Sequence, residues 1–152
     1  ATFRGENPLL LSGVLLAGAN LHGKGADEVN AEDGILTALE VSNMDLRGTD
    51  LVVLSACETG LGEVKQGEGV YGLRRAFQLA GARTVVSSLW QIPNSETMAF
   101  MKELYAHKSN SYPELLQKVA LLRINALRQR GRSTHPYFWG GFVATGDWRV
   151  EK

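Results

Sequence analysis

Apolar residues fall in short runs between polar, Gly-rich or Pro-rich stretches, and the period of each run predicts an element. Leu51 to Ser55 is a continuous run with two valines, as expected of a strand buried on both faces. Thr84 to Leu89 (TVVSSL) reads as a second buried strand. Between them, Val70, Leu73, Phe77 and Ala80 share one helical stripe, and Gly81 stops the helix. Strand, helix, strand predicts a parallel pair with a right-handed crossover. Thr37-Ala-Leu-Glu40 has the form of a capping box, so a short helix should begin there and end before Gly48.

The second half reads as two helices and a strand. After Pro93, Asn94 or Ser95 should cap a helix running to about Lys108, with Met98, Met101, Leu104 and Tyr105 as its apolar face. Pro113 suits the first turn of the next helix. Leu115, Val119, Leu122 and Ala126 recur along it at helical spacing, and Gly131 ends it. Phe138 to Ala144 (FWGGFVA) reads as a last strand. Leu9 to Ala19 predicts a short strand or an irregular buried segment. Residues 20–34 and 60–69 are polar and Gly-rich, and predict flexible loops. No repeat is visible. Three clear strands are few for a doubly covered sheet, so further strands are expected outside the recognisable ones.

Composition narrows the function classes. A chain of 152 residues that is 44% hydrophobic suits one domain with its own core. Sixteen basic residues balance 16 acidic ones, which gives no sign of a nucleic-acid surface or membrane-binding face. The longest apolar runs, about five or six residues, are far too short to span a bilayer. No signal-peptide pattern is present. A single cysteine excludes an internal disulfide and fits a reducing, cytoplasmic setting. The chain starts at Ala1, and Ala1 to Pro8 reads as loop, so a processed product or a piece of a longer chain is expected.

That cysteine is the main chemical signal. Leu51-Val-Val-Leu-Ser-Ala-Cys57-Glu-Thr-Gly60 carries the thiol from a strand into a Gly-rich turn. Ligands of α/β folds bind at such strand ends, which makes Cys57 a candidate nucleophile; the alternative is a buried structural thiol. A nucleophilic thiol needs a base, and only His22, His107 and His135 are available. Each also reads as an ordinary surface histidine. One Cys and three scattered His show no zinc-ligand spacing, so no metal or cofactor is expected. The glycines of 60–69 lie where phosphate loops sit, but no Gly-Lys-Ser/Thr follows, and Glu63 and Glu68 would repel a phosphate. Trp90 and Gln91 follow the second strand and should sit beside Cys57 across a parallel pair. Trp90 would line a pocket there or belong to the core. Asp33 is a substrate-facing carboxylate or a turn residue. Arg123, Arg128, Arg130 and Arg132 read as a solvated face at a helix end.

Five ordered motifs carry a resemblance over nearly the whole chain. They are Asn7-Pro-Leu-Leu with Ser12-Gly and Leu16-Ala-Gly-Ala-Asn20, Asp33-Gly-Ile-Leu-Thr-Ala38, Leu54-Ser-Ala-Cys57-Glu-Thr-Gly60, Ser88-Leu-Trp90, and His135-Pro-Tyr-Phe-Trp139 with Gly146-Asp-Trp148. Together they resemble the CHAT domain, a caspase-like cysteine peptidase family related to caspases and separase and often joined to tetratricopeptide repeats. The resemblance implies an α/β fold, a caspase-like three-layer sandwich with a mostly parallel sheet, incomplete at its N-terminal side. Residues 1–152 would be the C-terminal part of the domain. It further implies hydrolysis of peptide bonds in a protein substrate by a Cys–His dyad. Cys57 matches the nucleophile, and its backbone N–H would be an oxyanion donor, a role worth about 2.7–4 kcal/mol. The family's His lies in an Ala-Thr-His-Gly motif upstream of the Asn-Pro-Leu-Leu segment. None of His22, His107 or His135 matches it, so an upstream segment or another chain is expected to supply the base, and this chain alone to be inactive. Asn94 departs from the acidic residue frequent after Ser-Leu-Trp. Asp33, Trp90 and Gln91 are the expected substrate contacts. The alternative is a non-catalytic caspase-like module that binds a protein partner.

Overall fold

Local signals define most of the elements. In the computed structural model, which describes residues 8–10, 12–17, 19, 34–55 and 68–149, a 3-10 turn at Pro8–Leu10 leads into β1 (Gly13–Leu15). Strand β1 lies within Leu9 to Ala19, where a short strand was one expectation, and β2 (Ile35–Thr37), which the sequence pattern did not predict, pairs antiparallel with it. Thr37 then closes the predicted capping box: its hydroxyl accepts the Glu40 N–H, and the Glu40 carboxylate accepts the Thr37 N–H at 2.7 Å. Helix α1 (Ala38–Ser42) follows and stops before Gly48 as expected.

Strand β3 (Leu51–Leu54), helix α2 (Glu68–Leu79) and strand β4 (Thr84–Ser88) form the predicted unit, with β3 parallel to β4. Helix α2 begins two residues earlier than its apolar stripe suggested. It ends at Gly81, whose φ of 108° lies in the left-handed region. A Cβ there would also press within 2.9 Å of the Arg47 side chain. Strand β4 is covered on both faces, with Val85 and Val86 each 0% exposed. Strand β3 is only half-buried, because among the described residues β4 is its single neighbour.

Helix α3 (Asn94–Ala106) and helix α4 (Tyr112–Gln129) pack against each other. Pro93, not Asn94 or Ser95, holds the cap position of α3, with no side-chain bond. The buried face of α3 is Glu96, Phe100 and Leu104, while Met98 and Tyr105 stand 58% and 69% exposed. Ser111 caps α4, and Pro113 lies in its first turn as expected. The α4 stripe follows the prediction through Leu115 and Val119, then continues through Arg123 and Leu127 instead of Leu122 and Ala126. Arg123 is therefore interior, not part of a solvated face, for a reason given below.

Residues Pro136–Phe138 form a 3-10 turn, so the last strand, β5, runs from Phe142 to Gly146 and not from Phe138. Proline has no N–H to give a ladder, and the His135 ring accepts the Tyr137 N–H at 3.2 Å, which closes the turn. Strand β5 pairs antiparallel with β4, so the three-stranded sheet, ordered β3-β4-β5, holds one parallel and one antiparallel pairing. One apolar cluster joins Val86, Phe100, Leu104, Val119 and Phe142, with Phe100 and Phe142 stacked at 4.1 Å. A second joins Ala38, Val41, Leu73 and Ala76, with Leu54 of the sheet packed against it. Helices α3 and α4 thus cover one face and α1 and α2 the other, which makes a three-layer α/β sandwich. Among the described residues, no helix is long and apolar enough to cross a membrane.

Candidate functional site

Parallel pairing decides which residues share an edge. Leu51 is opposite Thr84 and Leu54 opposite Ser87, so β3 and β4 send their following segments to the same edge of the sheet. Cys57 is three positions past Leu54, and Trp90 three past Ser87. Cys57 itself, Asp33, His22 and residues 60–67 lie outside the described residues. Strand β5 runs the other way. Phe142 faces Ser88, so the segment before β5 arrives at this same edge.

That segment builds a wall around Trp90. The Trp90 Nε1–H donates to the Tyr137 carbonyl at 3.1 Å. The Leu89 N–H donates to the Gly141 carbonyl at 2.8 Å. Gly141 permits the close approach: a Cβ there would lie 2.8 Å from Ile92 Cδ1 and 3.0 Å from Trp90 Cε2. The indole is half-buried and packs on the α3–α4 cluster, whereas Gln91 is exposed. Trp90 is packed against the core, as one of its two sequence readings expected. Sequence reasoning gave Tyr137 no role and absorbed Gly141 into the expected strand Phe138 to Ala144; Pro136 and the Gly140-Gly141 pair were the available turn signals.

The histidines separate cleanly. His107 caps the far end of α3, its ring 3.0 Å from the Glu103 carbonyl and 3.4 Å from the Glu103 carboxylate. Helix α3 has 13 residues and starts beside Trp90, so its length carries His107 about 20 Å away. Nearby, Ser111 bridges Arg149, just past the end of β5 at the opposite sheet edge. His107 is thereby removed from the edge that β3 supplies. His135 lies on the Trp90 edge, exposed, with one ring nitrogen taken by the Tyr137 N–H. Among the described residues, no three His, Cys, Asp or Glu side chains gather as a metal site.

Charge enters the site from below. Glu96, in the first turn of α3, is 2% exposed, and both its carboxylate oxygens are taken. Arg123 of α4 donates to Oε2 and Arg132 to Oε1, each at 2.6 Å. This pairing explains the interior position of Arg123, since a buried carboxylate needs both charge compensation and hydrogen bonds. Arg132 keeps the predicted exposure, with 48% of its side chain in solvent, while its guanidinium reaches Glu96.

Comparison with known proteins gives the family. The CHAT domain family matches residues 1–147. Tetratricopeptide repeat protein 28 of Homo sapiens is 33% identical over 113 residues, which is 74% of this chain and 4% of the relative. Its counterpart of the same name in Mus musculus is 32% identical over 114 residues, again 74% of this chain and 4% of the relative. The chain thus spans a small part of the length of these relatives. The family match, which runs over residues 1–147 and so over nearly the full length, places this chain in the CHAT domain family.

Proposed function

We propose that the protein carrying this chain is a cysteine endopeptidase and that Cys57 is its nucleophile. The observation that supports the reading is the parallel β3–β4 pair, whose strands end side by side at Leu54 and Ser87, three positions before Cys57 and Trp90 respectively in the sequence. Ligands of open α/β sheets bind at that end of the strands. In this reading, the Cys57 thiol gives its proton to a histidine, and the sulfur attacks the scissile carbonyl of an extended peptide. Backbone N–H groups at the turn stabilise the oxyanion. The histidine returns the proton to the leaving amine, and water then hydrolyses the thioester. The histidine comes from a preceding segment of the protein or from another chain. Asp33, Trp90 and Gln91 contact the substrate, and tetratricopeptide repeats are a fitting neighbour, as the relatives' names indicate. A reducing compartment such as the cytoplasm suits a single free thiol.

A second reading is favoured by one observation. The matched relatives are named as repeat proteins and not as peptidases, which fits a non-catalytic caspase-like module that binds a protein partner. Treating the full-length protein with a peptidyl acyloxymethyl ketone separates the two. The peptidase reading expects covalent labelling at Cys57 and loss of cleavage in Cys57→Ala. Cleavage that survives in Cys57→Ala refutes Cys57 as nucleophile, and an unlabelled Cys57 in an inert protein favours the binding module.

A further inference from the structure

We propose that Arg132 is a positioning residue: through buried Glu96 it holds the turn that orients Trp90, and so shapes the peptide-binding wall. The wall's role in substrate binding rests on the peptidase reading above; the clamp itself rests on geometry alone.

The contacts form a closed ring. Chain runs from Trp90 through Ile92 and Pro93 into the first turn of α3, where Glu96 is buried. The Glu96 Oε1 accepts from Arg132 at 2.6 Å. Arg132 sits just past the α4 stop, its N–H bonded to the Leu127 carbonyl at 2.9 Å, and its guanidinium lies 6.0 Å from the Phe138 ring centroid. The turn is tied internally, with the Trp139 Nε1–H on the Thr134 carbonyl at 3.0 Å and the Gly140 N–H on the Pro136 carbonyl at 2.7 Å. The Tyr137 carbonyl then accepts the Trp90 Nε1–H and closes the ring.

Charge arithmetic shows why Arg132 is more than a counterion. Arg123 is buried beside Glu96 at 2.6 Å and neutralises it by itself. Arg132 is 48% exposed at the side chain, and its charge is not needed for that neutrality. What it adds is a tether between α3 and the segment leading to Tyr137. The Arg123 and Arg132 bonds to Glu96 are each charge-assisted hydrogen bonds to a buried acceptor, of the stronger kind, so the Arg132 bond can hold the loop as well as the charge.

The test compares wild type, Arg132→Ala and Arg132→Lys in the full-length protein, by hydrogen exchange and by kinetics of Cys57 labelling with a peptidyl acyloxymethyl ketone. In Arg132→Ala, amides of 137–140 should exchange about tenfold faster, the change expected for a lost charge-assisted hydrogen bond, while those of α3 and α4 hold. The inhibitor's KI should rise by a similar factor with kinact retained, and Arg132→Lys should recover part of both. Trp90→Phe should raise KI as well, and its effect should not add to that of Arg132→Ala. Unchanged exchange at 137–140, uniform loosening of α3 and α4, or an unchanged KI each overturns the proposal. If wild type is not labelled at all, the peptidase reading fails, and the exchange pattern alone decides whether the clamp exists.

Discussion

The two edges of the three-stranded sheet are built from different materials. At the edge where β5 ends, Asp147 pairs with Arg83 at 3.2 Å and with Arg149 at 3.2 Å, and Arg83 also reaches Asp50 at 3.5 Å. The Thr84 hydroxyl donates to the Asp147 carbonyl, and the Tyr112 N–H donates to the Trp148 carbonyl at 2.9 Å. Opposite it, residues 89–91 and 134–141 contain no Asp, Glu, Lys or Arg. Indoles, glycines and backbone carbonyls make that edge. The first edge is bolted by charge. The described residues 89–91 and 134–141 of the second carry no such charge, and Glu96 with Arg123 and Arg132 lies behind them. In the peptidase reading proposed above, a cleft that takes a peptide backbone and excludes water gains from keeping fixed charges one layer away.

This contrast can be broken at three points. Glu96→Ala should be the severest, because it strands Arg123 as a buried unpaired cation; a loss of about 3–5 kcal/mol is expected. Urea unfolding would read it, and Glu96→Leu combined with Arg123→Met should recover most of the loss. Gly141→Ala should cost about 1–3 kcal/mol by crowding. Its Cβ meets Ile92 and Trp90, so the indole environment should change in the tryptophan emission spectrum while the charged edge stays intact. The mildest effect belongs to the bolted edge. The Arg149 backbone N–H and guanidinium, with Arg83, hold the Asp147 carboxyl down at about 2. A carboxyl lowered on folding contributes stability above its unfolded value near ~3.9 and loses it as pH falls through the folded value. The thermal midpoint should therefore drop between about pH 4 and pH 2, and Asp147→Asn should flatten that drop. An unaltered acid profile would mean that Asp147 does not govern this edge.

What could be read from the sequence follows the range of the interactions. The Thr37–Glu40 capping box, the Gly81 and Gly131 stops and the parallel β3–β4 pair are all encoded within a few residues or in one strand–helix–strand unit, and all are present. The faces of α3 and α4 were misread past their first turns for a single reason. Glu96 and Arg123 are polar by type, but each is neutralised by a partner 27 residues away, and no local window contains both. Met98 and Tyr105 were assigned inward because nothing nearby was known to displace them. The surroundings of Trp90 were legible to the same degree: the end of its strand follows from the β3–β4 pair, while its partner Tyr137 lies 47 positions away in a turn for which no local pattern gave a role. The expectations for Cys57 and Asp33 fall on residues outside those described.

The reversed direction of β5 has a consequence for how such a domain diversifies. Because β5 returns against β4, the ends of β3 and β4 and the start of β5 share one rim of the sheet, and the connections that leave or reach those points, 55–67, 89–93 and 131–141, are far apart in sequence. Each is a connection, and lengthening a flexible connection twofold costs only about 0.6 kcal/mol in closure entropy. Insertions at any of the three could remodel that rim independently while the layers beneath keep their register. Swapping these segments between homologues should therefore transfer recognition more readily than stability, which makes the rim the natural place for variation to accumulate.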